Sequence, residues 1–291
     1  MVSRTALEAS EMNNITLIPK KSSKIPIEAE AITPDNFAGK TLEGIRKLSV
    51  YIGNGVHDLG EFFEVTGEST EVTREQSIIV DGDVAHVKYI GRGMTSGEVM
   101  IRGNAGMHTG SMMSGGSLTV EGNTDDWAGA EMKGGLLRIH GNAKDLLGSA
   151  YRGSSEGLTG GCIVIDGNIG SEAGSFMRRG MIVVRGDTGN YTGLQLNGGV
   201  IFVFGRLGKR AGALAKGNGG FIACYGEIEE ILPTYILETT YTPTFMRLYL
   251  RELSGKLGLE EATRFIGAPL SRYRGDMAVG GNAEILLAQK G

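Results

Sequence analysis

The chain has 291 residues, 41% of them hydrophobic, with a formal net charge of −4. That length is enough for a large core, and no basic stripe interleaves with aromatics, which excludes an evident nucleic-acid surface. The 48 glycines follow no strict Gly-X-Y spacing, excluding collagen, and regular aliphatic runs exclude low-complexity disorder.

The first segment, residues 1–47, reads as an N-terminal strand and helix cap. "ITLIPKK" suits a short strand, and "TPDNFAGKTLEGIRKL" suits short helices, with Thr-Pro at a helix start and Leu42, Ile45 and Leu48 on one face. "PDNFAGKT" ends like a phosphate-binding loop but has Pro34 where that pattern needs glycine. The opening "MVSRTALEASEMNN" lacks the apolar block of a signal peptide, and no apolar stretch approaches ~20 residues, so a cytoplasmic location is expected.

Residues 48–230 repeat. Glycines closing short aliphatic runs fall at Gly82, Gly103, Gly122, Gly141, Gly167, Gly186, Gly205 and Gly226, separated by 21, 19, 19, 26, 19, 19 and 21 residues. A second glycine follows seven residues later at Gly110, Gly129, Gly148, Gly174, Gly193 and Gly212, and "LSVYIGNGVHDLG" pairs Gly53 with Gly60 in the same way. Fixed periods near twenty residues indicate a solenoid, whose units bury their apolar faces only by stacking. "GNTDDWAGAEMKGG" resembles an anion-binding loop in isolation, but its recurrence makes it a structural period.

The runs before the first glycines alternate with period two, so they are strands. Two inward ladders result: Ile78, Val99, Leu118, Leu137, Ile163, Ile182, Ile201, Ile222, and Val80, Ile101, Val120, Ile139, Ile165, Val184, Val203, Cys224. A third column, Met94, Met113, Met132, Tyr151, Met177 and Leu196, reads as corner filler. Asp83, Asn104, Asn123, Asn142, Asn168 and Asp187 follow the first glycines, where they suit corners and can bond along the stack. These features predict a mainly β chain, a β-helix or β-solenoid of ~19-residue coils.

The coil after Gly141 carries seven extra residues around "YRGSSEGLTGG", which must leave the stack as a loop. Tyr151, Arg152 and Leu158 there are candidate interface residues. So are Phe202, Phe204 and Tyr225, because the outward face they share is too apolar for solvent and must be covered, either by the C-terminal helix or by a partner chain. Residues 231–291 read as a C-terminal helical extension, with Thr242 as N-cap, Pro243 at the first position, and Phe245, Leu248, Tyr249 and Leu253 on its face.

No catalytic, cofactor-binding or metal-binding residue stands out. His57, His86, His108 and His140 lie in different copies without zinc spacing, and Cys162 and Cys224 read as reduced structural thiols. Asp125, Asp126 and Trp127 form the most chemically loaded spot, but adjacent corner carboxylates are usually solvated. Corners carrying Asn as often as Asp do not imply calcium.

The 19-residue glycine-containing coils resemble the GXGXG domain shared by the glutamate synthase large subunit and by the C subunit of formylmethanofuran dehydrogenase. "ITPDNFAGKTLEGIRKLSVYIGNGVHDLGEFFEV", "VKYIGRGMTSGEVMIRGNAGMHTG", "DDWAGAEMKGG" and "GSAYRG" look like the second family, over roughly residues 15 to 226. The resemblance implies a right-handed single-stranded β-helix and a structural role in a cytoplasmic complex that reduces CO2 and forms formylmethanofuran in the first step of methanogenesis. It implies that tungsten- or molybdenum-pterin, iron–sulfur clusters and a binuclear metal site lie on partner subunits: pterin-metal, amidohydrolase, formyltransferase-like and ferredoxin-like chains. Two alternatives remain open: the bacterial formyltransferase/hydrolase complex, and a stand-alone glutamate synthase domain.

Overall fold

A computed structural model describes residues 14–20 and 25–289. The stretch read as lacking a signal peptide falls almost wholly outside them. The chain is mainly β. Its elements in order are β1 (Asn14–Pro19), β2 (Ile27–Glu28), α1 (Pro34–Phe37), α2 (Leu42–Arg46), β3 (Ser49–Ile52), β4 (Gly55–Asp58), α3 (Leu59–Phe62), β5 (Phe63–Gly67), β6 (Ser77–Val80), β7 (Val87–Lys88), β8 (Glu98–Ile101), β9 (Ser114–Val120) and β10 (Gly134–Ile139). There follow β11 (Cys162–Ile165), β12 (Met181–Val184), β13 (Val200–Val203), β14 (Phe221–Cys224), β15 (Ile236–Tyr241), α4 (Met246–Leu257), β16 (Leu270–Gly275) and β17 (Ala283–Ala288), with three short 3-10 turns.

A mixed 13-stranded sheet runs β15-β16-β17-β14-β13-β12-β11-β10-β9-β8-β6-β1-β5. From β6 to β14 successive strands pair in parallel, and both aliphatic ladders align residue for residue, as in Ile163↔Ile182↔Ile201 and Ile165↔Val184↔Val203. All sixteen ladder residues are at most 2% exposed. A second line of parallel bridges joins the far side of the repeats, from Val84↔Ala105 through Ala105↔Thr124 to Ile169↔Thr188.

The two glycines of the repeat answer two different constraints. A Cβ on Gly122, Gly141, Gly167 or Gly186 would lie 2.6–2.7 Å from the carbonyl oxygen of the first glycine one coil below, so that site demands close backbone approach. Gly110, Gly129, Gly174 and Gly193 instead have φ of 63–71°, which turns the chain through the corner.

The asparagine column bonds along the stack. The Asn123 amide donates to Asn104 Oδ1, Asn142 to Asn123 Oδ1 and Asn168 to Asn142 Oδ1, each at 2.8 Å. Removing one acceptor is expected to cost about 1 kcal/mol. Asn142→Ala should therefore lower thermal stability by a few degrees in a circular-dichroism melt, whereas a purely solvated corner would show no change.

Three expectations need correction. The "LSVYIGNGVHDLG" segment is an antiparallel hairpin, Ile52↔Gly55 flanking a two-residue turn, in a separate sheet β4-β3-β2-β7. Gly53, at φ 57°, suits a tight hairpin turn, and Asp58 then caps α3. The corner column takes Leu158, fully buried, in place of Tyr151; Arg178 N donates to Leu158 O as Asn197 N does to Met177 O. The inserted residues therefore run from 151 to 157, and the chain re-enters the core at Leu158.

The C-terminal segment is not simply helical. It supplies α4 but also β15–β17, and β17 pairs in parallel with β14 through Ile222↔Ile285. The open edge of β14 needed a strand, and "AEILLA" is apolar on both faces because Ile285 faces the core while Leu286 lies among the residues packed with α4. The helix begins at Met246 with Phe245 as N-cap, buries Met246, Leu250 and Leu253, and leaves Leu248 72% exposed. The buried face is rotated from the expected one because Met246, at i−4 from Leu250, completes the stripe over β12–β14.

Candidate functional site

Two residues before each second glycine the backbone enters the left-handed region in side-chain-bearing residues: Tyr89 (φ 67°), His108 (63°), Trp127 (59°), Leu146 (64°), Glu172 (60°), Tyr191 (61°) and Arg210 (58°). Each such residue costs roughly 1–2 kcal/mol intrinsically. The amide is compensated by the next coil: His108 N donates to Asp126 O and Trp127 N to Asp145 O, both at 3.0 Å. Since the coils are in register, side chains of this column lie above one another.

The first three rungs are aromatic and nearly parallel. Tyr89 and His108 stack at 4.5 Å with 7° between planes, and His108 and Trp127 at 5.5 Å with 20°. Arg92 lies 5.1 Å over the Tyr89 ring. Tyr151, released from the core by the insertion, tilts onto His108 and Trp127, and its hydroxyl lies 3.0 Å from His108 Nδ1.

Burial, reinforced by the Lys88 and Arg92 charges, lowers His108 to about 4, and burial raises the Tyr151 phenol. At neutral pH both are uncharged and share one hydrogen bond, whose direction is set by the imidazole tautomer. Neither group titrates near pH 7, and all four rings of the cluster are partly exposed. His108 is also a stability sensor. The unfolded chain takes up its proton near the ordinary 6.5 while the folded chain resists until about 4, so stability is full above pH 6.5 and falls as pH drops toward 4. His108→Gln is expected to melt with a shallower decline across that window than wild type in paired calorimetric scans.

Asp125 and Asp126 are structural. Asp126 Oδ1 accepts the Asp145 amide at 3.1 Å and Asp145 Oδ1 accepts the Ser171 amide at 2.7 Å, making a second side-chain ladder, while Lys144 neutralises Asp125 at 3.0 Å. Of the other histidines, His57 faces Glu61 at 3.4 Å and His140 faces Asp166 at 2.6 Å. Asp166 also takes Arg138 and Arg185, and Arg185 reaches Glu261, tying the C-terminal segment to the repeats. Burial pushes the Cys162 thiol up to about 12 and the Cys224 thiol to about 11. Among the described residues no group of three His, Cys, Asp or Glu converges as metal ligands do, and no helix is long and apolar enough to cross a membrane.

The candidate interface residues separate into three places. Phe202 and Tyr225 are buried within the chain: Phe202 packs on Tyr249, and Phe204 and Tyr225 pack on Phe265. That apolar face is covered by α4 and the turn after it, so it is internal packing and not a surface open to a partner. Leu158 is core. Tyr151 joins the aromatic column, and Arg152 is exposed beside it on the inserted loop. Beside α4 a groove of about 480 Å³ runs between Cys162, Met181, Val200 and Tyr249, with Arg179 and Lys256 also lining it. The aromatic column is not apparent when the copies are read one after another; its signal is the recurrence of Tyr, His and Trp two residues before the second glycine.

No known family profile matches the chain. A stretch of 100 residues is 45% identical to the C subunit of tungsten-containing formylmethanofuran dehydrogenase 2 from Methanothermobacter thermautotrophicus, covering 34% of this chain and 37% of the relative. A stretch of 104 residues is 48% identical to the C subunit of molybdenum-containing formylmethanofuran dehydrogenase 1 from Methanosarcina barkeri, covering 36% of this chain and 35% of that one. The matched region thus spans little more than a third of these curated relatives. Among solved structures, a chain of the formyltransferase/hydrolase complex (FhcABCD) from Methylorubrum extorquens, in complex with methylofuran, superposes with a TM-score of 0.85 at 28% identity, over 94% of this chain and 100% of that one.

Proposed function

We infer that this chain is the non-catalytic C subunit of a cytoplasmic formylmethanofuran dehydrogenase, and that its stacked repeats form a right-handed single-stranded β-helix. The observation that carries this reading is near-full-length structural likeness to a chain of a formyltransferase/hydrolase complex, combined with a third of the sequence 45–48% identical to dehydrogenase C subunits. In this reading the helix is the parallel stack from β6 to β14, the described residues before β6, with the β3–β4 hairpin and β5, cap one end, and residues 231–289 close the other. Tungsten- or molybdenum-pterin, iron–sulfur clusters and a binuclear metal site belong to the pterin-metal, amidohydrolase, formyltransferase-like and ferredoxin-like partners. A stack with continuous aliphatic ladders is a stiff element, suited to holding such partners in register.

A second reading, the C subunit of a bacterial complex that transfers the formyl group to methanofuran and releases formate, is favoured by one observation. The solved chain from such a complex superposes over 94% of this one. Gentle purification through a tag on this chain, with co-purifying polypeptides identified and metals quantified, separates the two. Tungsten or molybdenum with iron and sulfide supports the dehydrogenase; a metal-poor formyltransferase assembly supports the second reading; a solitary chain sinks both.

A further inference from the structure

The two edges of the long sheet are finished differently. At the N-terminal end β5 is the edge; its Phe63 and Val65 are buried, and Arg46 of α2 donates Nη2 to the Val65 carbonyl at 2.7 Å. At the other end the inner aliphatic ladder continues past the repeats, from Ile222 to Ile285 to Tyr273, and stops at Leu237 on β15. Leu237 is 53% exposed and Ile236 beside it 56%. Met277, which bonds back to Thr234 just before β15, adds further exposed apolar surface.

Among the described residues β15 pairs with β16 alone, with a register shift between Leu237 and Thr239, so its outer backbone groups form an open edge interrupted at Glu238. Such an edge is prone to pair with another chain unless it is charged, bulged, broken by proline or covered; here the register shift at Glu238 leaves Thr239–Tyr241 in regular pairing. "ILETTY" contains no proline, and its single charge, Glu238, is held by Arg274 at 3.0 Å and Arg272 at 3.6 Å. A row of alternating donors and acceptors is matched by one kind of partner, an extended polypeptide laid ~4.8 Å away.

We propose that β15 receives a β-strand from another subunit of the assembly, adding a fourteenth strand and placing an apolar side chain over Leu237. This rests on the complex-subunit reading. A strand from a different chain is favoured over a second copy because the relatives are lettered subunits of multi-subunit enzymes.

Hydrogen exchange read by mass spectrometry, on the tagged native assembly and on the isolated chain, tests this directly. The amides of Ile236–Tyr241 are expected to exchange at least roughly tenfold more slowly in the assembly. Leu237→Lys, at an exposed position, is expected to keep the melting temperature of the isolated chain while recovering several-fold less of the partner subunits. Equal exchange with partners bound would overturn the strand proposal and leave the subunit reading standing. Concentration-dependent protection in the isolated chain would overturn it in favour of a second copy. A chain that brings down no other subunit would sink the subunit reading as well.

Discussion

Val184→Asp is expected to remove a large part of the chain's stability and to cut its soluble yield. Val184 is fully buried and sits in register between Ile165 and Val203, so the new carboxylate has aliphatic rungs on both sides. An uncompensated buried charge costs roughly 3–5 kcal/mol, against a typical total stability of about 5–15 kcal/mol. The repeat architecture aggravates the loss, because each coil draws its stability from its two neighbours and one failed rung divides the stack. Soluble yield and a circular-dichroism melt check this; a variant melting with wild type would mean that the β12 register is wrong.

Gly186→Val should be nearly as damaging, for a different reason. Its Cβ would meet Asn168 Oδ1 at 2.3 Å and Gly167 O at 2.6 Å, and the Gly186 amide itself donates to Gly167 O at 3.1 Å. The collision is with backbone and with the asparagine ladder, so relieving it separates two coils; a loss of roughly 3 kcal/mol is expected. Gly255→Ala is the matched control. That glycine lies in α4 with open space around it, and alanine there is expected to stabilise by up to about 1 kcal/mol. If both substitutions gave the same melting temperature, close coil approach would not be the reason for the repeated glycine.

The aliphatic ladders are legible in the sequence because strand period, glycine spacing and β-branched residues all agree from Ile78 to Cys224. The hairpin at Gly53 departs from that reading because a Gly-to-Gly spacing of seven also occurs where a two-residue turn meets a helix cap. The aromatic column is half legible. Its residue types are in the sequence, but their stacking depends on positive φ at consecutive coils, and Tyr151 joins only because the insertion frees it from the core.

The sequence by itself determined the register of the repeat, the composition of its core and the role of the asparagines, since these depend on local periodicity that each coil states for itself. Tertiary structure alone decided which segment covers each apolar face and which strand closes the open edge of β14. Phe202 and Leu286 lie under α4, and β17 pairs with β14, and each is a long-range choice among apolar faces that look alike in sequence. Burial is set by what stands opposite a residue, and among the described residues no strand stands opposite the outer edge of β15.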